Sequence, residues 1–137
     1  MAEKKRTAVS TSKKRGVLLV DDHPIVREGL ALLINQEPDL HVCAQASDAA
    51  EAIRAIGESC PDMVIVDLAL PGIDGWNLLR AIRADTRLAG VPCVAVTAYH
   101  SFEIADRAIE EGFVAYFPKP IEATAFVREL EYIVNGD

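Results

Sequence analysis

Three acids, a hydroxyl and a lysine stand at matching places along this 137-residue chain: Asp21 and Asp22, Asp67, Thr97 and Lys119. Each borders a short apolar run. GVLLV precedes the acid pair, MVIV runs into Asp67, VPCVAV runs into Thr97, and FVAYF ends two residues before Lys119. Three carboxylates gathered at one edge repel one another, which raises the free energy of the fully ionised state unless a cation is present. The donors are oxygens, with no cysteine among them and His23 the one nearby imidazole. That set favours a hard divalent ion, Mg²⁺ before Mn²⁺, over zinc. Lys119 is the only lysine after residue 15, a compact point charge suited to a phosphate or carboxylate oxygen. Together these groups fit phosphoryl transfer. The Asp67 carboxylate would attack phosphorus to give an acyl phosphate. Lys119 and the ion would offset charge on the transferring group, and Thr97 would donate a hydrogen bond to it.

That chemistry requires elements that deliver all five residues to one place. Residues 16–20 read as a strand, and Asp22, His23 and Pro24 start a helix in which proline is tolerated in the first turn. Val26, Leu30, Leu33 and Ile34 keep helical spacing until Pro38 closes it. Residues 40–45 alternate as a second strand. Asp48 with Glu51 reads as a capping pair, opening a helix with Ala49, Ala52, Ile53 and Ile56 inward. Residues 63–67 form an unbroken apolar run between Pro61 and Pro71-Gly72, the pattern of a strand buried on both faces. Asp74 precedes a helix with Trp76, Leu79 and Ile82, Trp76 being read as packing. Residues 91–97 give a fourth strand. Ser101 caps a helix with Ala105, Ala108 and Ile109 inward, and Gly112 stops it. Residues 113–117 are a fifth strand, at an edge because Pro118 lacks a donor. A last helix carries Ala123, Phe126, Val127, Leu130 and Val134. Five alternations of strand and helix predict an α/β protein: a parallel sheet covered on both faces, with its site at the carboxyl ends of the strands.

The chain is long enough for one domain with a real core. Residues 1–15 hold six basic side chains against Glu3 and read as a solvated, disordered leader. The body that follows, residues 16–137, carries 8 basic and 20 acidic residues, a balance that argues against direct nucleic-acid binding. No apolar run reaches the roughly 18 residues of a membrane span, and the basic N-terminus lacks a signal's apolar core. A cytoplasmic location is the expectation. Cys43, Cys60 and Cys93 lack metal-site spacing and read as reduced structural thiols.

VLLVDDHPIVREGL, VIVDLALPGIDGW, VAVTA and FPKP together resemble the signature segments of a two-component response regulator receiver domain, over roughly residues 16–134. The resemblance implies the flavodoxin-like (βα)₅ three-layer sandwich with strand order 2-1-3-4-5. It implies Asp67 as phosphoacceptor, Asp21 and Asp22 with the Ala69 backbone carbonyl as magnesium ligands beside Asp67, Thr97 as switch hydroxyl and Lys119 as the family's lysine. Tyr116 matches the aromatic that follows Thr97 inward, and Lys119-Pro120 the bond usually kept cis. By the same resemblance the chain is a signalling domain rather than a conventional enzyme, one that catalyses its own phosphorylation at Asp67. A histidine kinase or phosphotransfer protein would supply the phosphoryl group, docking near the first helix around Val26 and Leu30. The 101–134 face would meet a second copy or a protein target. Ala69 cannot orient an attacking water through its side chain, and Tyr99 is bulky, so self-dephosphorylation is expected to be slow. DDHPIVREGL resembles regulators that carry a C-terminal helix-turn-helix, whereas this chain ends at Asp137, as a stand-alone receiver or a piece of a longer protein. Three rivals fit less well. A haloacid-dehalogenase-like phosphatase expects an acid where Ala69 stands. A flavin or nucleotide binder needs a glycine- or hydroxyl-rich loop where DDHP stands. A receiver that no longer takes phosphate would not need all five motif residues. His23 reads chiefly as a helix-start residue, with contact to groups bound beside the acid pair as the alternative, and His41 and His100 carry no signal.

Overall fold

The computed structural model describes residues 14–135, so most of the expected basic leader lies outside the described residues. Strands and helices alternate as β1 (Arg15–Val20), α1 (Pro24–Asn35), β2 (Leu40–Ala46), α2 (Ala49–Ser59), β3 (Met63–Asp67), α3 (Gly75–Ala84), β4 (Cys93–Thr97), α4 (Phe102–Glu111), β5 (Ala115–Pro118) and α5 (Ala123–Asn135). The sheet is parallel throughout, in the order β2-β1-β3-β4-β5. This is the flavodoxin-like arrangement the sequence led us to expect.

Successive strand side chains point to opposite faces, and that alternation divides the apolar residues between two cores. Val17, Leu19, Met63, Ile65, Val94 and Val96 face α1 and α5, against Leu30, Ile34, Phe126 and Leu130. Leu18, Val20, Val64, Val66, Cys93 and Ala95 face the other way, against Ala52 and Ile56 of α2, Leu78, Leu79 and Ile82 of α3, and Ala108 of α4. The three central strands therefore need apolar residues at every position.

Local chemistry sets most boundaries. Asp48 caps α2 by accepting the Glu51 N–H at 2.8 Å. The Glu51 carboxylate reaches back to the Ser47 N–H at 2.7 Å, one residue earlier than a standard capping box. Asp74 and Ser101 cap α3 and α4 in the same way. At the end of α4, Gly112 takes φ 119°. It donates to Ile109, and Phe113 donates to the Ala108 carbonyl at 3.0 Å, closing a Schellman turn that tucks Phe113 into the core.

Several expectations need correction. Strand β1 begins one residue earlier than expected, at Arg15, whose N–H bonds the Asp39 carbonyl. Strand β4 begins at Cys93 rather than Val91. Strand β5 begins at Ala115 rather than Phe113, because the Schellman turn consumes Phe113. Ile53 and Ile109, expected inward, are 50% and 55% exposed, and Ala105 is half-buried, leaving Ala108 as the single buried residue of α4. The three cysteines are free. Burial pushes the Cys93 thiol up to about 11.

Candidate functional site

Parallel register does the assembling. Val20 pairs with Val66, Asp67 with Val96 and Thr97 with Pro118, so four strands end at one level. Asp21 leaves β1 there, Asp67 ends β3, Thr97 ends β4 and Lys119 follows β5. The Lys119 N–H continues the β5 ladder to the Thr97 carbonyl at 2.8 Å, and the Lys119-Pro120 bond is cis. The turn after Asp67 is held tightly against α3. Gly75 donates to the Leu68 carbonyl at 3.1 Å, and a Cβ on Gly75 would lie 2.8 Å from the Asp67 carbonyl oxygen. Only glycine fits there.

Asp21, Asp67 and Thr97 are the buried polar side chains among the described residues, each no more than 3% exposed. Lys119 Nζ lies 2.9 Å from Asp21 Oδ2 and 3.3 Å from Asp67 Oδ2. Asp67 Oδ1 accepts the Ala69 N–H at 3.0 Å. Burial pushes the Asp67 carboxyl above the ordinary carboxylate range; the Ala69 hydrogen bond and the Lys119 charge pull it back, while Asp21 adds to the rise. For Lys119, burial opposes the charged form, but Asp21 and Asp67 more than offset it and the ammonium is held above its usual range. The ammonium therefore stays charged, and it draws the two acids together.

Two carboxylates against one ammonium leave negative charge over, and Asp22 adds to it. Asp22 Oδ1 is sealed from solvent without a hydrogen-bond partner. One ligand atom each from Asp21, Asp22, His23 and Asp67 falls within 4.8 Å of the others. A buried carboxylate oxygen with no donor is costly, and a cation beside it would remove that cost. The donor set thus fits a divalent ion. His23 starts α1, and its ring also reaches into this cluster, with Nδ1 3.0 Å from Asp21 Oδ1 and 3.1 Å from Asp22 Oδ1.

Outward from Asp67, a groove of about 200 Å³ is lined by Ala69, Trp76, Thr97, Tyr99 and Arg107 among others. The Thr97 hydroxyl accepts the Tyr99 N–H at 3.1 Å. The Arg107 guanidinium lies 4.0 Å over the Trp76 ring, which also meets Phe113 edge-on. Tyr116, on β5, is half-buried, its hydroxyl 2.9 Å from His100 Nδ1. The sequence offered no signal for the Arg107 or His100 contacts, since each joins a loop or helix to a distant element.

Comparisons with known proteins place this arrangement. The model of the response regulator receiver domain matches residues 17–131. The transcriptional regulatory protein LiaR of Bacillus subtilis is 31% identical over 121 residues, covering 88% of this chain and 56% of LiaR. A protein-glutamate methylesterase/protein-glutamine glutaminase of Pyrococcus abyssi is 34% identical over 124 residues, 88% of this chain and 33% of that protein. The chain thus spans from about a third to a little over half of the curated relatives it matches. Among solved structures, a two-component response regulator of the LuxR family from Aurantimonas sp. SI85-9A1 superposes with a TM-score of 0.81 at 37% identity, over 90% of this chain and 87% of that one. A match running from β1 into α5, on a sheet of the expected order with acids and a lysine at its carboxyl edge, makes this chain a member of the response regulator receiver domain family of two-component systems.

Proposed function

We propose that Asp67 is the residue that takes the phosphoryl group, with Asp21, Asp22 and the Ala69 carbonyl helping Asp67 to hold Mg²⁺. One observation carries the assignment: Asp67 is a 2% exposed carboxylate at a strand end, aligned by Lys119 at 3.3 Å and by the Ala69 N–H at 3.0 Å. An Asp67 oxygen attacks phosphorus and the bond to the donor's leaving group breaks, giving an acyl phosphate. Bound Mg²⁺ supplies charge neutralisation for the phosphoryl oxygens. Lys119 would contribute its positive charge to the phosphoryl oxygens, exchanging its carboxylate partners for them. Thr97 donates its hydroxyl to a phosphoryl oxygen, giving up its contact with the Tyr99 N–H. Ala69 offers only a methyl group where a polar side chain would orient water, which supports slow hydrolysis.

Receiver domains interact with histidine kinases or phosphotransfer proteins, and we assign the donor role here to such a protein. Its docking surface moves from the expected centre. Leu30 is buried in the core, while Ile25 and Leu32 of the same helix are 83% and 66% exposed, so α1 presents these two. The output surface is the 101–134 face, where Phe102, Val114 and Tyr132 are exposed and where a second copy or a protein target would bind. Engagement of Thr97 by the phosphoryl group lets Tyr116 follow inward, leaving His100. The acidic receiver body is not itself assigned a nucleic-acid contact. Among the described residues no helix is long and apolar enough to cross a membrane, and we assign the domain to the cytoplasm.

Incubation with Mg²⁺ and acetyl phosphate followed by intact mass measurement tests the assignment. Wild type gains one phosphoryl mass and Asp67→Asn gains none. Equal labelling of both proteins would overturn it. Retention of full phosphorylation-dependent partner binding by Thr97→Ala would overturn the switch.

A further inference from the structure

We propose that His23 is itself a ligand of the metal centre through Nδ1, so that this receiver binds Mn²⁺, relative to Mg²⁺, more tightly than its carboxylates alone would. The inference rests on the metal site assigned above and concerns which ion that site prefers.

The carboxylate oxygens are divided between two neighbours. Lys119 takes Oδ2 of Asp21 and Oδ2 of Asp67. The opposite oxygen of Asp21 and the orphaned oxygen of Asp22 face the His23 ring, at 3.0 Å and 3.1 Å from Nδ1. Two ligands set about 2.1 Å from one octahedral ion, and adjacent on it, stand about 3.0 Å apart. Each of the two oxygens therefore already stands from Nδ1 at the spacing of adjacent ligands on a single ion. Asp67 Oδ2, at 3.8 Å from the same nitrogen, completes the group within 4.8 Å.

The backbone fixes the ring in this position. His23 is the N-cap of α1, extended at φ −100° and ψ 105°, and its side chain makes no capping hydrogen bond. Its N–H is bound to Asp21 Oδ1 at 2.9 Å, which folds the residue back over the acid pair. Arg27, one turn along α1, holds the Asp21 carbonyl and keeps its own charge off the carboxylates. Side-chain capping would be one structural use for a polar residue here, and His23 does not serve it; its ring instead hydrogen-bonds Asp21 Oδ1 at 3.0 Å, the contact that ligation would replace.

An all-oxygen set suits Mg²⁺, whereas an imidazole nitrogen adds affinity for first-row transition ions and little for Mg²⁺. The ring is 60% exposed, so an arriving ion reaches Nδ1 without disturbing the core.

Pulsed EPR of Mn²⁺ bound to the unphosphorylated protein reads the contact directly. Wild type is expected to show nitrogen modulation from a coordinated imidazole, which disappears in His23→Ala. Titration calorimetry supplies the second reading: the ratio of Mg²⁺ to Mn²⁺ dissociation constants should fall at least about tenfold in His23→Ala, the scale on which losing a metal-site partner acts. Mn²⁺ bound to wild type without nitrogen modulation, or an unchanged ratio, overturns the role of His23 and leaves the carboxylate site standing. Failure of wild type to bind either ion overturns both.

Discussion

Helices α5 and α4 lie on opposite faces of the same sheet and are held in opposite ways. Helix α5 is held by its side: Phe126 and Leu130 are fully buried and Val134 nearly so. Helix α4 buries one alanine, Ala108, and leaves Phe102 83% exposed and Ile109 55% exposed. Its ends hold it instead, through Ser101 on the Ile104 N–H at 3.1 Å and the Gly112 turn. Laterally it adds Arg107 over Trp76, the half-buried Ile104 against the core and an ion pair from Glu111 to Arg80 of α3 at 3.0 Å, all at or near the surface. An element with few buried contacts opens at lower free energy than one embedded in a core. The helix beside Thr97 is thus the one expected to open more readily than α5.

Substitutions that separate side from ends put this contrast at risk. Phe126→Ala removes a fully buried ring from α5 and should cost about 3–5 kcal/mol, seen as a large fall in the denaturant midpoint. A loss below about 1 kcal/mol would mean α5 is not anchored by its side. Gly112→Ala forces a side chain onto φ 119° and should cost about 1–2 kcal/mol, measured by thermal unfolding. Ser101→Ala removes the N-cap and should cost about 1 kcal/mol, with faster amide exchange confined to the first turn of α4. Ile109→Ser, at the same helix's exposed apolar position, should change stability by no more than about 0.5 kcal/mol. A cost near that of Phe126→Ala would reveal a lateral anchor for α4 that the fold does not display.

The sequence made the site's strand-end residues legible for a physical reason. Strands β1, β3 and β4 are buried on both faces, so each reads as an unbroken apolar run, and the first polar residue marks the sheet edge. Asp21, Asp67 and Thr97 are those residues. What stayed hidden depends on three-dimensional reach. Ala105, Ala108 and Ile109 form an apolar stripe whether or not a core extends far enough to cover it, and at α4 it covers only Ala108. The return of the His23 ring over Asp21 and Asp22 follows from one extended residue at a helix start. The pairing of His100 with Tyr116, sixteen residues on, leaves no trace in local pattern. Cys60 shows the same limit: it adopts φ 46° at the end of α2, a conformation that favours glycine, with nothing in its neighbours to announce it.

Trp76 is the one tryptophan of the chain, and it sits where α3 meets α4. Its ring belongs to α3, while the guanidinium 4.0 Å above it belongs to α4. Any displacement of α4 changes the charge and water over a single indole in the wall of the groove beside Asp67. The domain therefore carries its own optical gauge: tryptophan emission, excited without any added label, should change in intensity and colour as the site is filled and as α4 moves.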